Sequence, residues 1–293
     1  MKFPSWSSRL AAAALLAAVV SALAACGDDA PAANGAKDPA SADPGPVHVH
    51  GLGVNPADGA LFLATHTGVW RLPDGSGTAT RVSDRQQDTM GFDVVGPDHF
   101  IASGHPDLSE DLPPFLGFIE SSDAARTWRQ TSLSGEADFH VLEASGRRVY
   151  GFGSDFRSRS EQLLVSDDNG ESWAARDYPE PFLSLAINPD DPVEALASGE
   201  RKLHLTTDGG RSWKSIPGEP GLLVWNQRAI FRIDEHGSVT RAARPGAKWT
   251  DRGTAAGRPA AFDSGGDDLF VALHDGVVKQ SPDGTNWKPR YRP

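Results

Sequence analysis

The chain has 293 residues, 39% of them hydrophobic, with 31 glycines, 22 prolines and a formal net charge of −11. This composition excludes a disordered chain and suits a turn-rich all-β globule. The acidic balance disfavours nucleic acid and anionic headgroups as partners, and the single cysteine excludes a disulfide framework.

In chain order, Lys2 and Arg9 flank an apolar run from Leu10 to Ala24. At about 15 residues it is short for a membrane span, which needs roughly 20, and the right length for a signal peptide. The run ends in Leu23-Ala24-Ala25-Cys26, which resembles the bacterial lipobox. That resemblance implies that residues 1–25 are removed and that Cys26 is lipidated as the new N-terminus. Cleavage takes away Lys2 and Arg9 and no acid, so the charge moves from −11 to −13. Membrane attachment must then come from the lipid, on the extracytoplasmic side, in the periplasm or at the cell surface. The rest of the segment 26–46 has no aromatic residue and reads as a disordered tether with a reach of roughly 25 Å. Residues 47–293 are left for the folded domain.

Within that domain one phrase recurs. Ser166-Asp-Asp168-Asn-Gly-Glu-Ser-Trp173 and Thr206-Thr-Asp208-Gly-Gly-Arg-Ser-Trp213 are its fullest copies. Others run from Ser121 through Asp123 to Trp128 and from Ser281 through Asp283 to Trp287; a worn copy ends at Trp249. The Asp caps a tight turn, Gly permits positive φ, and Trp wedges between sheets. Spacings of 45, 40, 36 and 38 residues between the five tryptophans point to a propeller or solenoid. The runs between them are short, β-rich and broken by turns, which predicts four-stranded blades. Innermost strands begin near His48, Asp88, Asp138, Phe182, Leu222 and Pro259. Six blades of about 41 residues fit best; seven would need about 35 each.

The repeated phrase resembles the Asp-box of the sialidase-like (BNR repeat) β-propellers. In that family the box is a folding staple between outer strands, on the face away from the ligand. The resemblance therefore gives Asp123, Asp168, Asp208 and Asp283, with their tryptophans, a structural role.

The inner strands carry the candidate chemistry. Aligned, the first three read His50-Gly-Leu, Met90-Gly-Phe and His140-Val-Leu, and two residues earlier stand His48, Asp88 and Asp138. With a side-chain period of two, both positions share a side of the strand. Second strands ending at His66, His105 and His274 run antiparallel to the first, so their ends lie beside the first strands' beginnings. Six of the nine histidines and the only methionine after the initiator are thus expected at one mouth, opposite the boxes. Imidazole with thioether suits copper; imidazole with Asp88 or Asp138 also admits zinc. The first choice of ligands is His50, Met90 and His140, with His48, His66, His105 and His274 as alternates. His99, His204 and His236 read as surface or turn residues. No nucleotide cofactor is expected.

The resemblance also raises glycoside hydrolysis. Sialidases need an arginine clamp, a Tyr nucleophile with a Glu base, an Asp acid and an early Arg-Ile-Pro motif. Here Trp70-Arg71-Leu72-Pro73 imitates that motif from a third strand, and Tyr150, Tyr178 and Tyr291 are the only candidate nucleophiles. Asp107, Glu110 and Asp111, in the long loop of the second blade, are candidate carboxylates. Asp-box propellers also include sorting receptors and photosystem assembly factors, so a protein-binding platform is a third expectation.

Overall fold

Each run of four short strands folds back on itself before the chain moves on. The computed structural model describes residues 45–293. The apolar leader, Cys26 and nearly all of the tether lie outside the described residues. Blade 1 comprises Val49–Val54, Leu61–Thr65, Gly68–Leu72 and Thr80–Arg81; blade 2 comprises Asp88–Gly96, His99–His105, Phe118–Ser121 and Arg129–Ser132. Blade 3 is Ala137–Ser145, Arg148–Asp155, Glu161–Ser166 and Ala174–Arg176; blade 4 is Phe182–Ile187, Ala195–Gly199, Leu203–Thr206 and Lys214–Ile216. Blade 5 is Leu222–Asn226, Ala229–Ile233, Ser238–Ala242 and Thr250–Thr254; blade 6 is Pro259–Gly265, Asp268–Leu273, Val278–Ser281 and Lys288–Tyr291. Every sheet is antiparallel with its strands in sequence order, and the six innermost strands pack side by side around a central channel. The fold is a six-bladed β-propeller.

The second strand of each blade is buried almost throughout, and the apolar faces of neighbouring blades meet at six seams. The seam between blades 2 and 3 joins Ile101 and Phe118 to Phe139, Leu142 and Leu164. Trp173 plugs it from the rim, with its ring centroid 5.4 Å from that of Phe118 and 5.1 Å from that of Phe139. Trp128, Trp213, Trp249 and Trp287 occupy the corresponding seams.

The repeated turn sets those tryptophans. Asp168 Oδ1 accepts from the backbone N–H of Ser172 at 2.9 Å and from the Ser166 hydroxyl at 2.7 Å. Asp208 does the same with Ser212 and Thr206, both at 2.9 Å. Asp123 accepts from Thr127 N–H at 2.8 Å. These hydrogen bonds hold the Asp168 and Asp208 carboxyls down at about 2. Backbone donors in the turns reach the hairpin between strands one and two: Ala124 to Asp98 O, Asn169 to Arg147 O and Gly209 to Val193 O, each at 2.9 Å. The turns therefore lie at the end of the propeller away from the start of the inner strands. Gly170, at φ +81°, has no room for a side chain, since a Cβ would come within 2.2 Å of the Phe118 ring.

The ring closes without a shared strand. Blades 1 and 6 meet through Val49, Leu52, Leu63 and Trp70 on one side and Ala261, Phe270, Ala272 and Val278 on the other. Arg290 clasps this seam, donating to Ser76 O and Pro73 O at 2.8 Å each and to Asp74 at 3.2 Å. Its side chain is only 11% exposed. Replacing Arg290 by Ala removes its two part-buried hydrogen bonds to Ser76 O and Pro73 O and should cost about 1–3 kcal/mol. A melting curve should show Tm lower by about 2–10 °C. Arg157→Ala, at an exposed 3.8 Å pair with Glu136, should leave Tm unchanged.

Candidate functional site at the channel mouth

A β-bulge recurs at one height in the inner strands. His50 is the extra residue between Val49 and Gly51 in blade 1, Met90 between Thr89 and Gly91 in blade 2, and His140 between Phe139 and Val141 in blade 3. Leu183 and Ala260 fill the same place in blades 4 and 6. These bulged residues, with Leu222 of blade 5, line one cavity of about 240 Å³ on the axis. A bulge breaks the period of two, so strict alternation does not relate His48 to His50. The alignment of His50, Met90 and His140 holds because all three occupy the bulge. Gly51 and Gly91 follow it: a Cβ there would lie 2.9 Å from Phe92 Cβ and 2.7 Å from Phe139 O of the next blade. Glycine lets adjoining inner strands close up around the channel.

The histidines fall into two groups. In the first, His66 Nδ1 donates to Asp88 Oδ1 at 2.8 Å. That bond fixes the tautomer and leaves His66 Nε2 as a lone pair, 3.2 Å from His50 Nε2. Asp88 Oδ1 is also 3.8 Å from His50 Nε2. His50, His66 and Asp88 each offer a donor atom, all within 4.8 Å of one another. The His48 ring lies 5.4 Å from that of His66. His48 has φ +54° and precedes the first strand rather than starting it. In the second group, Asp138 Oδ2 lies 3.0 Å from His140 Nε2 and 3.4 Å from His105 Nε2. Met90 lines the cavity that His50 and His140 also line.

Burial and the nearby His66 push His50 down to about 4, so it is a neutral imidazole across the ordinary pH range. His140 moves upward, chiefly through its hydrogen bond with Asp138.

Two expectations are corrected. His274 follows the second strand of blade 6 and so shares this end, but it is exposed and joins neither group. Nothing at the start of blade 1 draws it in, because His48 turns toward His66. His204 is not a surface residue: it sits within the third strand of blade 4, 4% exposed, 2.7 Å from Glu180 Oε1. Burial pushes Glu180 up, and its bonds to His204 and Arg201 outweigh that and hold it below the usual range. His99, 3.3 Å from Glu120, and His236 are exposed as expected.

The sequence reading missed three carboxylates deeper in the channel. Asp93, Glu143 and Asp263 line the cavity floor and a second cavity below it. Burial pushes Asp93 up to about 6 and Asp263 up to about 8; burial and the charges of Asp93 and Asp263 raise Glu143 as well. Each stands three residues after a bulge, and that offset was the available signal.

Of the candidate hydrolytic groups, Tyr291 packs at the seam between blades 1 and 6 and Asp111 is exposed, and the others are hydrogen-bonded elsewhere. Tyr150 is 1% exposed and donates to Pro192 O, and Tyr178 donates to Glu161 O. Glu110 accepts from Arg85 at 2.8 and 3.0 Å, and Asp107 accepts from Gln86 N–H and Ser109. Arg71 lies in the third strand of blade 1 and pairs with Asp58 at 2.7 Å.

No protein-family model matches the chain, and no curated protein matches it. Solved structures match its fold. A chain of a nidogen/laminin complex is 12% identical with a TM-score of 0.61, over 80% of this chain and 93% of that one. A GH74 xyloglucanase from Xanthomonas campestris is 17% identical with a TM-score of 0.53, over 82% of this chain and 45% of that one. YCF48 from Cyanidioschyzon merolae is 14% identical with a TM-score of 0.50, over 82% of this chain and 84% of that one. At these identities the likeness is one of fold.

Histidine NMR of the metal-free protein should find His50 titrating near 4 and His140 above 6.5. The two have opposite linkage. Between pH 6.5 and about 4 the unfolded chain binds a proton at His50 that the folded chain refuses, so stability falls with pH. His140 stabilises the fold below pH 6.5, and that contribution is lost as pH rises through its raised value. His50→Gln should therefore flatten the loss of Tm between pH 6.5 and 5.

Proposed function

We propose that this protein is a lipid-anchored, extracytoplasmic propeller that binds a divalent transition metal through His50, His66 and Asp88. The observation that supports this is the pair of Nε2 atoms, 3.2 Å apart, with His66 held by Asp88. Two ligands at about 2.0–2.1 Å around a tetrahedral ion lie roughly 3.3 Å apart, which matches the nitrogen spacing; His50 meets the His66 ring edge to face, its Nε2 also 3.3 Å from His66 Nδ1, so His66 must turn its Nε2 lone pair toward the ion to share it. A carboxylate on the far nitrogen of a metal-binding histidine orients the ring and raises its basicity. The cavity beside the pair, about 240 Å³ and lined by His50, Met90 and His140, is below the roughly 300–1,000 Å³ of organic-ligand pockets.

Two imidazoles, with Asp88 held on the far nitrogen of His66, form a borderline set, which favours Cu(II) over Zn(II) by the usual affinity order. Met90 adds a soft donor within the same cavity and keeps copper ahead of zinc. Against hydrolysis stand the committed tyrosines and loop carboxylates. The protein-platform reading has no residue on the page that selects a partner.

Full-length protein should take up Cu(II) at or above stoichiometry, measured by elemental analysis after gel filtration. His66→Ala should weaken that uptake by more than about 100-fold, and Asp88→Asn by about 10–100-fold. A wild-type protein with only trace metal ends this reading. The anchor has its own test: Cys26→Ser should abolish labelling by radioactive palmitate and move the protein from the detergent phase to the aqueous phase.

A further inference from the structure

Away from the channel, one buried imidazole is held between an acid and an alcohol. His204 and Ser215 stand directly opposite each other in the third and fourth strands of blade 4, so the sheet puts their side chains on the same face. Ser215 Oγ lies 3.3 Å from His204 Nδ1, and His204 Nε2 lies 2.7 Å from Glu180 Oε1. Glu180 comes from the connection between blades 3 and 4, and Arg201 Nε and the Lys202 N–H donate to its two oxygens at 3.1 Å each. Gly199 makes room for it, since a Cβ there would lie 2.4 Å from Glu180 Cγ. His204 and Glu180 are buried, whereas Ser215 is exposed.

These bonds fix where the protons sit. Burial works against ionisation of Glu180, but its bonds to His204 and Arg201 hold it below the usual carboxylate range. Its Oε1 therefore only accepts, and His204 Nε2 carries the hydrogen. Nδ1 is then a lone pair facing the Ser215 hydroxyl, which donates to it. Nucleophile, base and orienting acid of covalent acyl transfer are recognised by these roles and this geometry, not by chain order. At 3.3 Å the nucleophile–base contact is at the long end, as is common without substrate. Ser215 lies in the outermost strand of its blade, which no further strand pairs. N–H groups along such a strand alternate between the sheet and the open edge. The N–H of Ser215, or those of Lys214 and Ile216, therefore point outward within one residue of the hydroxyl and are available to a developing oxyanion.

We propose that Ser215, His204 and Glu180 form an acyl-ester hydrolase site on the rim of blade 4, independent of the histidines at the mouth. Ser215 is the nucleophile, His204 the general base and Glu180 the positioning residue. Oγ forms a bond to the acyl carbon as its proton passes to His204 Nδ1; the ester C–O bond then breaks, and the alcohol leaves with that proton. Water adds to the acyl-enzyme and gives a proton to His204, and the carboxylic acid is released as that proton returns to Ser215 Oγ. The hydroxyl is open to solvent and its neighbour Lys214 is exposed, which suits a short acyl group carried on a larger molecule rather than a fatty chain.

Full-length protein is tested with p-nitrophenyl acetate as substrate and a fluorophosphonate as serine probe. Wild-type protein should turn the ester over and carry the probe on Ser215, located by peptide mass spectrometry. Ser215→Ala should abolish both, with Tm unchanged. His204→Gln should slow probe attachment by about 100-fold or more. Glu180→Gln should lower kcat by a similar factor and leave KM in place, and Glu180→Asp should restore part of the loss. The His50→Ala/His66→Ala pair should keep full turnover, which separates this site from the metal reading. No probe on Ser215, or equal labelling in His204→Gln, marks an ordinary surface serine and overturns the proposal. Turnover that survives Ser215→Ala and disappears with His50 and His66 belongs to the mouth and overturns it as well.

Discussion

The site depends on one backbone irregularity repeated around a ring. Five of the six inner strands take an extra residue at the same height, and that residue alone turns into the channel mouth. A regular strand would divide these side chains between the two blade faces and pack them into the seams. The bulge removes one residue per blade from that alternation. Glycine after it in blades 1 and 2 lets adjoining strands approach closely, so that Asp88 of blade 2 meets His66 of blade 1. The histidine group is thus assembled across two neighbouring blades.

The same repetition separates structural from chemical polar groups. At the turn end, aspartates spend their oxygens on backbone N–H and hydroxyl donors and have little left for a ligand. At the mouth, Asp88 and Asp138 face imidazoles and few other donors. Between the two ends lies a band of carboxylates whose mutual repulsion and burial keep protons on them. The interior is therefore less negative than its count of carboxyl groups suggests, because burial first and mutual repulsion second hold protons on Glu143 and Asp263.

Much of the architecture was legible in the sequence because it is local. The tryptophan spacing and the Ser-x-Asp turns reflect contacts within a dozen residues, and they gave the blade count, the strand order and the end on which the histidines lie. The pairing of side chains was harder to read. His66 with His50 and Asp88 follows from matching second-strand ends to first-strand starts, which the alignment contained. The bulge was invisible, since nothing in His50-Gly51 or Met90-Gly91 marks an extra residue without knowledge of the partner strand. Asp93, Glu143 and Asp263 carry no motif of their own: each lies three residues beyond a bulge that only the pairing with the second strand reveals. His274 shows the limit of symmetry: its position matches His66 and His105, but the neighbouring blade offers His48 where the others offer an aspartate. His204 was misplaced because its partner Glu180 lies between blades, where no periodicity applies.

The seam between blades 1 and 6 has a kinetic meaning. Each blade is formed by neighbours in the chain and can assemble with little loss of loop entropy. Arg290, in contrast, binds carbonyls more than two hundred residues away. This contact of highest order is made only once the other blades are already stacked, so it sits at the end of the folding route. It is also where an opening ring would first part, like a split washer. His48 and His50 belong to the first blade beside that gap, so a loosening there would reach the histidine-bearing arc before any other.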